Sequence, residues 1–251
     1  MEWILALLLA GFLLYLVFVD TAPELPGVPR GRLCDYIAYG SVFEDVSTAC
    51  KRGVRLIELH VYADEQDHPV VATGPLHDGY DYTKENVTLE SCLVDLVNDA
   101  FPSKDPMILS LVPHTLTNVT LNEVADLLET TVRKHMIPDK DLATARIDDL
   151  ANKLLLVTGG VIQGTRLETL ANFNWTESTT RRLSYQQALS PRDPQELKKF
   201  TRDNLVVVGP EMELKTVNEN PRRPALAFGC QWNVYGTGTP GFTEKSFPQK
   251  E

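Results

Sequence analysis

Two spacings of apolar residues alternate along the chain. Residues 55–62 (RLIELHVY), 69–73 (PVVAT), 107–112 (MILSLV), 153–158 (KLLLVT) and 205–208 (LVVV) are short, nearly unbroken apolar runs. Runs of this length and composition predict strands buried on both faces. Between them, Leu89, Cys92, Leu93, Leu96, Val97, Ala100 and Phe101 recur at three- and four-residue steps and lay one apolar stripe along a helix; Leu121, Val124, Ala125, Leu128 and Val132 mark the next. A strand is predicted over 34–40, a helix over 42–51 and a late strand over 225–235. Asp193 followed by Pro194 opens a further helix as N-cap and first helical residue. Strands alternating with amphipathic helices predict an α/β fold: a parallel sheet with helices on its outer face, closed at this length into a TIM-type (β/α) barrel.

The N-terminus follows a different pattern. Residues 3–19 (WILALLLAGFLLYLVFV) carry no charge. At ~1.5 Å per residue they make about 25 Å of helix, just enough to span a hydrocarbon core of about 30 Å with snorkelling at the ends. No basic segment precedes the run, and Pro23 stands where a small-x-small cleavage site would lie. The expectation is a retained single-pass transmembrane anchor over 1–19, a stiff Pro/Gly linker over 20–31 and a folded body over 32–251. Sequons at Asn86, Asn118 and Asn174 are candidate glycosylation sites and lean the body towards the lumenal or extracellular side. Their competing reading is local: Thr88 and Thr120 as helix N-caps, with Thr120 to Glu123 as a capping box.

Composition narrows the partners. In 251 residues, 24 Lys+Arg against 34 Asp+Glu give a net charge of −10, which excludes a basic nucleic-acid binder. Gly159-Gly160 has neither phosphate-loop spacing, so no nucleotide partner is expected. Cys34, Cys50, Cys92 and Cys230 form no C-x-x-C pair and no zinc pattern, and read as small buried hydrophobes.

Several motifs together carry a family resemblance. Residues 53–60 (GVRLIELH) resemble the G-C-R-x-[IL]-E-L-D strand of eukaryotic phosphoinositide-specific phospholipase C. Residues 69–74 (PVVATG) are similar to that family's P-[IV]-[IV]-Y-H-G, and 106–114 (PMILSLVPH) to P-V-I-L-S-L-E-N-H. Further on, 204–210 (NLVVVGP) resemble the strand ending R-[IV]-Y-P. Asn220-Pro221, then Gly229-Cys230-Gln231 and Thr239-Pro240-Gly241, resemble N-x-P, G-C-Q and Q-T-P-G. The resemblance implies a phospholipase C-like barrel with an X-like half over 32–158, a linker over 159–183 and a Y-like half over 184–251.

The chemistry that the resemblance implies is phosphodiester cleavage by two histidines and a calcium held by carboxylates and an Asn. Residue by residue, this chain departs from it. The His-Asn pair expected before Tyr39 is absent from 34–38, and the second histidine falls at Thr73. Glu58 survives, but the next calcium carboxylates become His60 and Val112. The phosphate-binding lysines map to Val157 and Gly159, and the headgroup arginine to Val207. The expectation is a membrane-anchored barrel without phosphodiesterase activity and without a cofactor, a structural or binding module with a protein partner in a membrane complex or virion. The alternative is an active phosphoric diester hydrolase on phospholipid or glycerophosphodiester substrates, rebuilt around Glu58, His60 and His114. Its metal candidates are Glu58, His60 and Asp64, with His77 and Asp78 in a wider set. A buried Glu58 needs a partner, and Arg55 and His60 are the sequence's candidates.

Overall fold

The computed structural model describes residues 31–74, 86–114, 116–211 and 222–245. The apolar run 3–19, most of the 20–31 linker, and His77 and Asp78 lie outside them. Among the described residues no helix is long and apolar enough to cross a membrane.

In chain order the elements are β1 (Tyr36–Val42), α1 (Val46–Lys51), β2 (Leu56–Ala63), β3 (Pro69–Ala72), β4 (Asn86–Thr88), α2 (Leu89–Ala100), β5 (Met107–Pro113), α3 (Asn118–Thr131), β6 (Leu154–Thr158) and α4 (Arg166–Leu170). There follow β7 (Phe173–Asn174), β8 (Thr180–Ser184), α5 (Tyr185–Leu189), α6 (Pro194–Phe200), β9 (Leu205–Gly209), α7 (Arg222–Phe228), β10 (Trp232–Tyr235) and β11 (Thr243–Glu244). Eight strands pair side by side in the order β7-β6-β5-β2-β1-β10-β9-β8, every pair parallel. The circuit is a TIM-type barrel, nearly closed: among the described residues β7 and β8 share no ladder, which leaves a seam between them. β2 and β8 stand four places apart in this eight-strand ring, so they face each other across the lumen.

Alternation along the strands sorts the side chains. Leu56, Ile108, Leu155, Val157, Val207 and Trp232 point inward and fill the lumen together with Val42 and Phe173. Their neighbours Ile57, Leu59, Leu109, Leu111, Leu154 and Leu156 point outward and meet the apolar stripes of α1, α2 and α3. This is why the strands read as unbroken apolar runs: both faces are buried. A fully buried leucine such as Leu96 on α2 contributes about 1.5–3 kcal/mol.

The ends of the elements follow local chemistry. Thr88 caps α2, its hydroxyl accepting from Ser91 N. Asp193 accepts from Gln195 N and Glu196 N, with Pro194 at the first turn of α6, as the spacing predicts. The cap of α3 is Thr117 rather than Thr120. Thr117 accepts from Thr120 N, while Thr120 is buried and shares a hydroxyl contact with Thr117.

Four further expectations are corrected. The helix predicted from 42 starts at Val46, because Val42 still belongs to β1 and Phe43 turns the chain in the left-handed region, φ 61°. The strand predicted over 225–235 is α7 followed by β10. Gly229, φ 72°, ends the helix and lets its N–H reach Ala225 O. The strand at 69–72 stays outside the parallel circuit, pairing antiparallel with β2 and β4. The stretch 159–183 is no bare linker: it carries α4, β7 and most of β8. Its elements are too short, and β8 (TRRLS) too polar, to give a periodic signal.

Candidate functional site at the barrel mouth

Glu58 shares the inward phase of Leu56 on β2, two residues nearer the mouth, and is 1 % exposed. A carboxylate there is tolerable only if its lone pairs are filled. They are. Arg182 on β8 reaches across the lumen and grips it two-pronged, Nη1 to Oε2 at 2.5 Å and Nη2 to Oε1 at 2.8 Å. Ser110 Oγ on β5 donates to Oε2 at 2.8 Å, and His60 Nε2 lies 3.0 Å from Oε1. Arg182 Nη2 also donates to Pro210 O at 3.1 Å.

The hydrogen-bond pattern fixes the imidazole tautomers. An ionised carboxylate only accepts, so His60 Nε2 carries the proton directed at Glu58 and Nδ1 is left as an acceptor. His114 Nε2, 2.9 Å from that Nδ1, must therefore donate. The chain Glu58–His60–His114 is thus an ordered relay, with the lone pair on His114 Nδ1 at its outer end. His114, half-buried just past β5, stacks flat on Tyr62, centroids 4.3 Å and planes 5° apart. Phe43 closes over His60 at 5.6 Å.

Electrostatics follow the burial. Burial by itself would raise the Glu58 carboxyl, but Arg182 and the His60 hydrogen bond outweigh it and hold it down at about 2. Burial pushes His60 below its ordinary value, against the pull of Glu58. His114 falls to about 3, through burial first and then its neighbours His60 and Arg182. The cluster therefore holds one negative and one positive charge at neutral pH, with both imidazoles neutral.

Glycine at two positions makes room for this arrangement. A Cβ on Gly209 would lie 2.9 Å from Arg182 Nη2 and 3.0 Å from Glu58 Oε1. A Cβ on Gly159 would lie 2.5 Å from Trp175 Nε1, and Trp175 in turn lies with its ring 5.4 Å from the Arg182 guanidinium. Gly159 is the position to which the resemblance assigns a phosphate-binding lysine. With Trp175 where it is, no longer side chain fits.

The structure brings together Glu58, His60 and His114 and sets Asp64 apart. Asp64 lies six residues beyond Glu58, about 20 Å along an extended chain. Its Oδ1 is spent on Gln66 N and His68 N in the β2–β3 turn. Arg55 does not partner Glu58; its guanidinium donates to Ala100 O and Gly53 O. The mouth end of β1 is Ser41-Val42, well past the 34–38 stretch in which the resemblance places a histidine, and neither of these two side chains titrates. Arg182, Ser110 and Trp175 were not expected. The only sequence signal for Arg182 is the demand of a buried Glu58 for a cation, and Val207, to which the resemblance assigns the headgroup arginine, is its register partner on β9. All four cysteines are buried and unpaired; burial pushes the Cys92 and Cys230 thiols up to about 12, which makes them poor nucleophiles.

Calcium, which the resemblance implies, does not fit these residues. It takes six to eight oxygen ligands. Here the surviving carboxylate is filled by a guanidinium, a hydroxyl and an imidazole N–H, and Val112 stands beside His60 in the β2–β5 register. Among the described residues no three His, Cys, Asp or Glu side chains converge to hold a metal ion.

Of the three sequon asparagines, Asn118 is exposed, Asn86 half-buried and Asn174 buried. Asn174 Oδ1 accepts from Thr176 N and Oγ1, and its amide nitrogen faces Glu177.

Comparison with known proteins agrees with the fold. The family "Phosphatidylinositol-specific phospholipase C, X domain" matches residues 36–158, from β1 through β6. No curated protein sequence matches the chain significantly. Among solved structures, L. pealei PLC21 superposes with a TM-score of 0.67 at 14% identity, over 84% of this chain and 35% of that one. The chain thus spans about a third of PLC21. The calcium-dependent phosphoinositol-specific phospholipase C of a Pseudomonas species gives 0.58 at 14% identity, over 87% of this chain and 97% of that one. The Ca-dependent phosphatidylinositol-specific phospholipase C of Streptomyces antibioticus gives 0.56 at 10% identity, over 82% and 95%. At such identities the likeness is one of fold. Motifs, X-domain match and barrel topology converge: residues 36–158 match the phospholipase C X domain, and the barrel has the phospholipase C-like phosphodiesterase fold.

Proposed function

We propose that this barrel is a catalytically silent member of the phospholipase C-like superfamily, acting as a structural or binding module held at a membrane by residues 3–19, with a protein partner and with its body on the lumenal or extracellular side. The observation that carries this reading is the saturation of Glu58. General acid–base cleavage of a phosphodiester needs a group that exchanges a proton near neutral pH and cations free to meet phosphoryl oxygens. At this mouth the strongest cation is consumed by the carboxylate, and the strand ends around it carry Val42, Val112, Gly159 and Gly209.

A second reading has one specific observation in its favour, the Glu58–His60–His114 relay, which leaves His114 Nδ1 as a base at the mouth of an active diesterase. Magnitude decides against it. A general base works best with a pKa near the operating pH; His114, held at about 3, lies some four units below neutrality.

The test is hydrolysis of phosphatidylinositol, its phosphates and glycerophosphodiesters by the full chain with calcium, magnesium or zinc. No turnover is expected, in the native chain or in His60→Ala and His114→Ala. Turnover that either substitution abolishes would establish the second reading.

A further inference from the structure

We infer that Arg182 is a resident counter-cation: its guanidinium fills the seat on Glu58 that a divalent ion would take, so the barrel mouth neither needs nor accepts calcium. This goes beyond catalytic silence and does not depend on it, because a metal-free hydrolase would satisfy it equally.

Three observations carry the inference. First, the grip is bidentate, with both carboxylate oxygens held by the two terminal nitrogens of one guanidinium, and the remaining lone pairs go to Ser110 and His60. A divalent ion would find no open oxygen on Glu58 without expelling Arg182. Second, the guanidinium is boxed in. Pro210 O takes a further N–H, the missing Cβ of Gly209 lets the β9 backbone close against both partners, and Trp175 covers the cation from the β7 side. The Arg182 side chain is 7% exposed, so leaving the seat means breaking this box. Third, the charges match. One carboxylate meets one monovalent cation, and the two imidazoles beside them are neutral by the tautomers that their hydrogen bonds require. Glu58 is the only buried carboxylate among the described residues, so with Arg182 in place the pair is already neutral.

The experiment is thermal unfolding of the full chain in detergent with millimolar calcium, magnesium or chelator, backed by calorimetric titration of calcium. The native chain is expected to unfold at the same temperature in all three and to give no calcium-binding heat. Arg182→Met, which keeps the stem and removes the charge, is expected to unfold earlier and to regain roughly 5 °C with calcium or magnesium. Glu58→Gln combined with Arg182→Met removes both charges and is expected to ignore the ions. Stabilisation of the native chain by calcium, or its destabilisation by chelator, overturns the inference; so does a folded Arg182→Met chain indifferent to both ions. Should Arg182→Met not fold, the native chain and the double variant decide. Turnover in the native chain without metal would sink the silent reading while leaving this one standing.

Discussion

Glu58 on β2 and Arg182 on β8 sit on opposite walls of the barrel, 124 residues apart in sequence, and meet in a two-pronged ion pair across the lumen. β8 is also the strand that borders the seam, where no ladder ties it to β7. The pair therefore does a sheet's work without a sheet's hydrogen bonds, fastening the loose edge to the opposite wall.

Removing one partner leaves the other buried and uncompensated, which typically costs about 3–5 kcal/mol, whereas replacing both with neutral side chains of similar size is often far less harmful. Glu58→Gln is expected to lose that amount in urea unfolding, and the Glu58→Gln/Arg182→Met chain is expected to recover most of it. Additive losses in the double variant would show that the two residues are not coupled.

Acid should weaken the barrel from two directions. Glu58 is depressed from 4.5 to about 2, so its contribution is complete above 4.5 and drains away as pH falls towards 2. The histidines are also depressed from 6.5, which for a base has the same sign. The unfolded chain binds protons that the folded site refuses, so stability declines below 6.5, for His114 down to about 3. Each proton bound only by the unfolded chain is worth ~1.4 kcal/mol per pH unit. Unfolding free energy followed from pH 7 to 4 should fall steadily, and His114→Gln should flatten the slope. A flat native profile would contradict the neutral, buried imidazoles.

Trp175 and Gly159 compete for one volume. Gly159→Lys, which restores the residue type that the resemblance places there, should destabilise the barrel by about 1–3 kcal/mol through overpacking. Adding Trp175→Ala should remove part of that cost. Equal penalties with and without the tryptophan would mean that the two do not touch.

The sequons are not equivalent. Asn118 is exposed at the start of α3, whereas Asn174 is 6% exposed with its side chain turned into the Thr176–Glu177 loop. On the proposed lumenal topology, mass spectrometry of chain made in a eukaryotic host should find sugar at Asn118 and none at Asn174. Glycan at Asn174 would show that modification precedes closure of this loop, and a chain bare at all three sites would overturn the topology.

Capping distinguishes two threonines three residues apart. Thr117→Ala removes the acceptor for Thr120 N and should cost about 1 kcal/mol. Glu123, the would-be partner in a capping box from Thr120, accepts from exposed His68 instead, so Glu123→Ala should leave the α3 cap unchanged. Equal effects in chemical denaturation would restore the Thr120 reading.

What the sequence determined by itself was whatever arises from neighbours in the chain. The buried parallel strands of the first half, the stripes of α2 and α3, the Asp193 cap and the alternation that builds a barrel are all written in local periodicity, because burial on a strand or helix repeats every two or 3.6 residues. The survival of Glu58, and its need for a partner, were legible for the same reason. Which cation answers that need was decided only by closure of the ring. Arg182 lies in a five-residue polar strand with no periodic signature, inside a stretch that reads as a linker, and nothing local distinguishes it from Arg181, whose guanidinium pairs with Glu196 at the surface. The tertiary fold separates them, because strand alternation sends one side chain outward and its neighbour into the lumen, where the opposite wall holds the one buried carboxylate among the described residues.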